Sequence, residues 1–313
     1  MTAGDVIEAL PVAGRWDFGG LPYGLEPLTL PEAASDPEPA DRAEAADRAG
    51  GSSLPLGGDL ESSRLVLRAL GVARDTVPPP APDPVERIFW FRWITGHQTT
   101  FILWQLLARA HAQEDLESSR VFVRGYSAML LYTGSCPRDV YHRVIRPSMA
   151  LQHPGFSGSW ARDFWPLRRL LRFGAATAPD TPLGRECQLN MLIHQGIADK
   201  LVPDGPSLLQ SATGQDLPWK RATLAVLYDN YFLTLRAAVP YPAVVRQLMR
   251  RLHAIGRDIA ANGLYPPYAS SAGEKPPRLR EREADECERT IPETLFAIAT
   301  RVARDSWQPW EAR

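Results

Sequence analysis

Trp90–Arg109 reads WFRWITGHQTTFILWQLLAR, and its periodicity decides the fold class. Stepping by three and four residues selects Trp90, Ile94, His97, Phe101, Trp104 and Ala108, the spacing that stacks side chains on one face of a helix. Every member of that stripe except His97 is apolar. A titratable ring there needs a partner or a cavity, because an unpaired buried polar group costs a few kcal/mol. Two readings stay open: a core histidine bonded to a backbone carbonyl, or a ring facing a ligand. Gly96, just before it, is expected to leave room for something flat to approach the backbone.

Working outward, the pattern is helical almost throughout from Val85. Helices are expected over 85–112, 115–133, 137–150, 158–173, 183–201, 218–238, 241–262 and 289–307. Pro240 and Pro242 sit where a helix should start and Gly263 where one should stop. Residues 264–288 read as a long polar loop, a possible lid. Alternating strand runs, repeats of 20 to 50 residues and coiled-coil heptads are not found. The fold class is all-α.

Upstream, residues 1–84 read as an extended arm that packs on the helical body of 85–313. Within the arm, residues 32–53 (PEAASDPEPADRAEAADRAGGS) hold too few large apolar groups to offset the entropy of ordering. A short amphipathic helix over 61–73 is stopped by the proline run at 77–84.

The chain has 313 residues and a net charge of −1, which argues against nucleic acid or an anionic membrane surface as the main partner. Cys136, Cys187 and Cys287 are odd in number and far apart, so reduced thiols and a cytoplasmic location are expected. No signal-peptide pattern opens the chain, and no apolar run is long enough to span a bilayer. Metal-binding HExxH or facial-triad spacing, GxSxG, GxGxxG and Walker A sequences are all missing, so the usual non-haem metal, esterase and nucleotide chemistries have no support.

Six histidines remain. His111 and His253 neighbour charged residues and are expected in solvent. His142 sits among basic residues in YHRVIRP, and His153 lies in the turn HPGFSG. His194, in ECQLNMLIHQGIADKL, is a second lone imidazole on a largely apolar helix. Two such rings on separate helices suit a haem with one axial imidazole and another across the plane, although two core histidines would read the same way. Asp229 and Asn230 interrupt the apolar helix WKRATLAVLYDNYFLTLRAAV. They read either as a solvated edge, the preferred alternative, or as an inner network with Tyr126 or Tyr132.

The segment ITGHQTTFILWQLL resembles the distal-histidine helix of tryptophan 2,3-dioxygenase and its relatives. VRGYSAMLLYTGSCPRDVYHRVIRPSM followed by HPGFSGSWARDFWPL is similar to the haem-dependent L-tyrosine hydroxylases of bacterial natural-product pathways. The resemblance spans roughly 85–240 and implies a dioxygenase-like helical bundle enclosing a haem. It implies His194 as the axial iron ligand, with Asn190 or a backbone carbonyl holding its other nitrogen, and His97 as the distal proton carrier. Trp104 and Tyr126 would line the cofactor and Phe101 the substrate. Arg143 or Arg146 would clamp the amino-acid carboxylate, or be a surface or propionate-pairing arginine; Ser207, Ser211 and Thr213 would bond the ammonium or haem edge, or their loop is an ordinary turn and helix cap. Lys220, Arg221 and Arg236 are candidates to pair the propionates.

The methyl-tyrosine peroxygenase branch of that superfamily attaches its haem through HxxxC. No histidine here has a cysteine four residues on, which implies noncovalent haem b; the oxidant is hydrogen peroxide as co-substrate, or dioxygen with a reductant. The implied reaction is oxidation of L-tyrosine to 3,4-dihydroxy-L-phenylalanine by a homo-oligomer. The alternatives are oxygenation of a tryptophan-like substrate and a cofactor-free helical interaction protein.

Overall fold

The computed structural model describes residues 23–33, 85–171, 179–203, 205–212, 221–267, 269 and 274–304. The predicted helix at 61–73, most of the 32–53 segment, Thr213 and Lys220 lie outside them. As the sequence predicts, the architecture is all-α. The only sheet among the described residues pairs β1 (Leu28–Leu30) in parallel with β2 (Thr234–Arg236), which fastens the described end of the N-terminal arm to the body.

Three helices form the central layer: α1 (Val85–Ala112), α2 (Leu116–Gly134) and, further along the chain, α5 (Pro182–Leu201). The turns between α2 and α5 contain α3 (Arg138–Val140), a π-helical turn (Tyr141–Ile145), α4 (Arg146–Gln152) and two 3-10 turns, Gly158–Trp160 and Arg162–Leu167. After α5 come α6 (Leu208–Ser211) and α7 (Arg221–Tyr231), then α8 (Tyr241–Asn262), α9 (Arg282–Arg289) and α10 (Ile291–Arg304).

Glycines set the spacing of that layer. A Cβ on Gly96 of α1 would overlap Thr133 Cγ2 of α2, and one on Gly134 of α2 would overlap Ile197 of α5. Gly96 therefore admits a neighbouring helix rather than a ligand, correcting the sequence expectation. At about 3.6 residues per turn, Thr133, Tyr132 and Gly125 face α1 while Arg124, Ser127 and Gly134 face α5 from the opposite side of α2.

One side of the layer carries α8 and α10. There Arg92 Nε donates to Asp258 Oδ2 at 2.7 Å, with both side chains at 0% exposure. Tyr132 Oη donates to the same oxygen at 2.8 Å, and Arg92 also donates to Ser135 and to the Leu264 and Gly263 carbonyls. The Asp258 charge holds the Arg92 pKa up against burial.

Three local expectations change. The helix predicted over 218–238 ends at Tyr231, because Leu233 takes φ 51°, a left-handed conformation that stops a helix, and the chain continues into β2. The segment 158–173 begins as 3-10 turns containing Pro166, whose missing N–H does not suit a helix interior. Part of the predicted 264–288 loop is helical (α9), and its described residues are fastened down: Tyr265 Oη donates to Glu288 Oε2 at 2.6 Å and Leu279 packs over Gly196. No described helix is long and apolar enough to cross a membrane. The three cysteines are buried and unpaired.

Removing one partner of a fully buried pair leaves the other charge stranded. Asp258→Ala should therefore cost about 3–5 kcal/mol by denaturant unfolding, and a loss under about 1 kcal/mol would contradict this account of the layer.

Candidate functional site

The other side of the central layer is aromatic and holds the two lone histidines. His97 and Trp104 lie on the face of α1 turned away from Arg92, and His194 lies on the flank of the α5 stripe that faces α2. With α1 antiparallel and α5 parallel to α2, both imidazoles project from the same side of the layer. They also sit at about the same level, near Leu131 and Tyr132 of α2. Tyr126, Leu130 and Thr133 of α2 form the floor between them. With helix axes about 8–10 Å apart, the stretch of α2 between the two rings is a trough whose α1 side is filled by Phe232 and Trp93 around His97.

His97 Nδ1 lies 2.7 Å from the Trp93 carbonyl oxygen. A carbonyl only accepts, so Nδ1 carries the proton and Nε2 is left with a lone pair. The ring is held between Phe232 (4.4 Å, stacked) and Trp93 (4.4 Å, tilted). Burial pushes its pKa down to about 4, partly offset by the bond to Trp93. The ring is thus neutral at ordinary pH and only partly exposed.

His194 is open to solvent, and no hydrogen bond to another described residue holds it. Surrounding protein nonetheless lowers its pKa, as expected of a ring in a concavity. Met191 beside it is 37% exposed, and Ala198 one turn on is also exposed. The amide of Asn190, expected to orient His194, instead donates to Ser127 Oγ at 3.0 Å. No cluster of three or more metal-ligating side chains exists among the described residues, whereas a haem needs one imidazole and a flat slot. The neutral His194 ring, which makes no hydrogen bond to another described residue and stands beside the apolar Met191 and Ala198, fits the imidazole part of that requirement.

Over the α1 half of the trough, α7 and the 3-10 turns form a roof. Phe101 packs against Trp104 (5.8 Å), Tyr228 (5.7 Å) and Phe232 (5.4 Å). Trp104 meets Tyr126 (5.2 Å) and Phe164 (5.1 Å). The left-handed turn at Leu233 follows directly on Phe232, which delivers that ring onto His97.

The other predicted residues divide. Arg143 is exposed and paired with Glu86 and Asp139, so it is a surface arginine and not the carboxylate clamp. Arg146 bridges the roof and the loop before α6: it donates to the Pro206 carbonyl at 2.9 Å and interacts with Tyr141, whose ring lies 5.9 Å from Trp93. Ser207 caps α6 through a reciprocal box with Gln210, and Ser211 Oγ donates to the Ser207 carbonyl. Both hydroxyls are occupied at an exposed turn, not directed at a ligand.

Asp229 corrects the preferred sequence reading. It is 4% exposed and belongs to a buried ionic cluster in which Arg236 bonds Asp229 and Asp163 and Arg162 meets Asp229. Arg236 is therefore committed to carboxylates rather than free for a propionate. Arg221 lies over the Trp165 ring at 3.7 Å. His253 is 6% exposed, with its pKa lowered by burial to about 4, not solvated as expected. His142 Nε2 bonds the Leu201 carbonyl at 2.8 Å. Tyr228 and Phe232 went unnoticed in the sequence because they sit in an apolar run with no motif.

Residues 59–183 match the family model of the SfmD 3-methyl-L-tyrosine peroxygenases. The match bears out the resemblance read from the sequence, to haem peroxygenases acting on tyrosine-like substrates. It includes His97, Phe101, Trp104, Tyr126 and Arg146 and ends before His194. A search of curated proteins finds no match.

His97 is expected to titrate near pH 4 by nitrogen-detected NMR, as the Nδ1–H tautomer. An Nε2–H ring titrating near its usual value would contradict the geometry.

Proposed function

We propose that this chain is a haem-dependent peroxygenase that hydroxylates the phenol ring of L-tyrosine or a ring-substituted tyrosine, in a natural-product pathway. The observation that carries the reading is a neutral imidazole at the same level on each side of α2, His97 partly exposed and His194 exposed, combined with the peroxygenase family match.

His194 would hold the iron of a haem standing on the α2 floor, and that group would supply the oxidising power drawn from hydrogen peroxide. His97 does the proton work. Its Nε2 lone pair can take a proton from incoming peroxide or from the substrate phenol and return it, because Nδ1 keeps its own proton on Trp93. Stacking between Phe232 and Trp93 fixes where that lone pair points. Since Nε2 protonates only as the pH falls through about 4, proton acceptance persists across the neutral range and is lost on the acid side.

Arg146 is the candidate for the substrate carboxylate. It stands at the roof beside Tyr141 with part of its guanidinium buried, and an arginine fork suits a carboxylate. The lack of HxxxC supports haem b held without a thioether link, although the matched family is named for a methyl-tyrosine substrate. Hydroxylation of L-tyrosine ortho to its hydroxyl would give 3,4-dihydroxy-L-phenylalanine.

Protein expressed with a haem precursor should show a Soret band that His194→Ala abolishes. Acid-acetone should extract the pigment from the wild-type chain. A band untouched by His194→Ala would move the ligand to another residue, and haem that stays with the protein would refute the noncovalent assignment. Incubation with peroxide and L-tyrosine or its 3-methyl derivative should yield catechols. Consumption of tryptophan with no catechol would sink the hydroxylase reading.

A further inference from the structure

Three polar side-chain atoms around the α1 half of the trough, on α1, α2 and α7, make no hydrogen bond to another described residue. Trp104 is 4% exposed, and its Nε1 is buried with no hydrogen-bond acceptor among the described residues. Tyr126 and Tyr228 are 7% and 2% exposed, and neither hydroxyl bonds another described residue. By contrast, Tyr132 bonds Asp258 and Tyr231 bonds Ser148. Burial drives the pKa of both Tyr126 and Tyr228 upward, and for Tyr228 the proximity of Tyr126 adds to the effect. Both hydroxyls therefore stay protonated.

These groups lie together. Trp104 meets Tyr126 edge-on, and Phe101 touches both Trp104 and Tyr228. Trp104 follows His97 by two turns on the same face, and long side chains on a helix lean back toward its N-terminus, bringing the indole toward His97. Trp104 Nε1 is the buried polar atom left unpaired, at a cost of about 1–3 kcal/mol that a ligand acceptor removes, and the two unbonded hydroxyls beside it are free to serve the same ligand.

The chemistry of the shell selects the ligand. Trp104 offers an N–H donor only, while each tyrosine hydroxyl both donates and accepts. None of the three is charged, and the neighbouring ionic cluster is internally matched, Arg236 with Asp163 and Asp229. A carboxylate placed here would lack a counter-charge. A neutral hydroxyl on an aromatic ring suits both the polar trio and the surrounding Phe101, Phe156, Phe164 and Phe232. We propose that Trp104, Tyr126 and Tyr228 form the recognition site for the substrate's phenolic hydroxyl, and are the residues that make the enzyme select tyrosines over phenylalanines. This rests on the tyrosine reading above and adds the residues that enforce it.

A site built to hydrogen-bond a hydroxyl rejects the analogue lacking it strongly, on the order of 10⁴-fold in favourable cases. The test is calorimetric titration of the haem-loaded full chain with L-tyrosine and with L-phenylalanine. Wild type should prefer L-tyrosine by about 100-fold or more. Tyr228→Phe should reduce that ratio about tenfold by weakening L-tyrosine alone, with the Soret band and thermal midpoint retained, and Tyr126→Phe should lower the ratio in the same direction. Trp104→Phe should act in the same direction.

Unchanged ratios in all three variants, alongside a discriminating wild type, would overturn the phenol site and leave the proposed function standing. Loss of haem from Tyr228→Phe would assign that residue to the cofactor instead and overturn the proposal. A wild-type chain that binds neither amino acid would refute the tyrosine reading itself.

Discussion

Close contact of α1 and α5 with opposite sides of α2 is the constraint on which the rest of the structure depends. Gly96 lets Thr133 against the α1 backbone, and Gly134 does the same for Ile197 of α5. Any Cβ at either point would push the helices apart. Because these contacts fix the rotation of each helix about its axis, they also fix where His97 and His194 project. The trough therefore follows from packing between helices, with no loop required to define it.

The two sides of the layer do different work. Behind it, the Arg92 and Asp258 side chains are bonded to each other, to Tyr132 and to two backbone carbonyls. A pair this thoroughly bonded resists movement, since stranding either charge is costly. In front of it, the groups are aromatic and several polar atoms lack protein partners. The bonded network behind the layer holds the helices, and so the site side chains in front of it, in place. In His97, one nitrogen is spent on Trp93 and the other remains available.

Much of this was legible in the sequence. The stripe from Trp90 to Ala108 fixed α1, and the same periodicity located α2, α5 and α8 to within a residue or two. His97 and His194 stood out as lone imidazoles on apolar faces. Asp229 was harder to place, because its burial depends on Arg236 and Arg162, residues that periodicity cannot bring together. Arg143 and Arg146 look alike as text; only the fold puts one beside Glu86 on the surface and the other beside Tyr141. The early end of α7 came from a left-handed Leu233, a conformation that residue type does not announce. Tyr228 and Phe232 gained their importance from that same turn. The role of Gly96 was misread because sequence shows that a glycine is needed without showing what approaches it.

The central claim is that two imidazoles, one on α1 and one on α5, face each other across a single flat cofactor. A crystal structure of the haem-loaded protein tests it most directly. The account predicts that His194 would bind the iron and that His97 would lie within the same haem-occupied space between α1 and α5. An iron bound by any other residue, or a haem lying outside the space between α1 and α5, would contradict it.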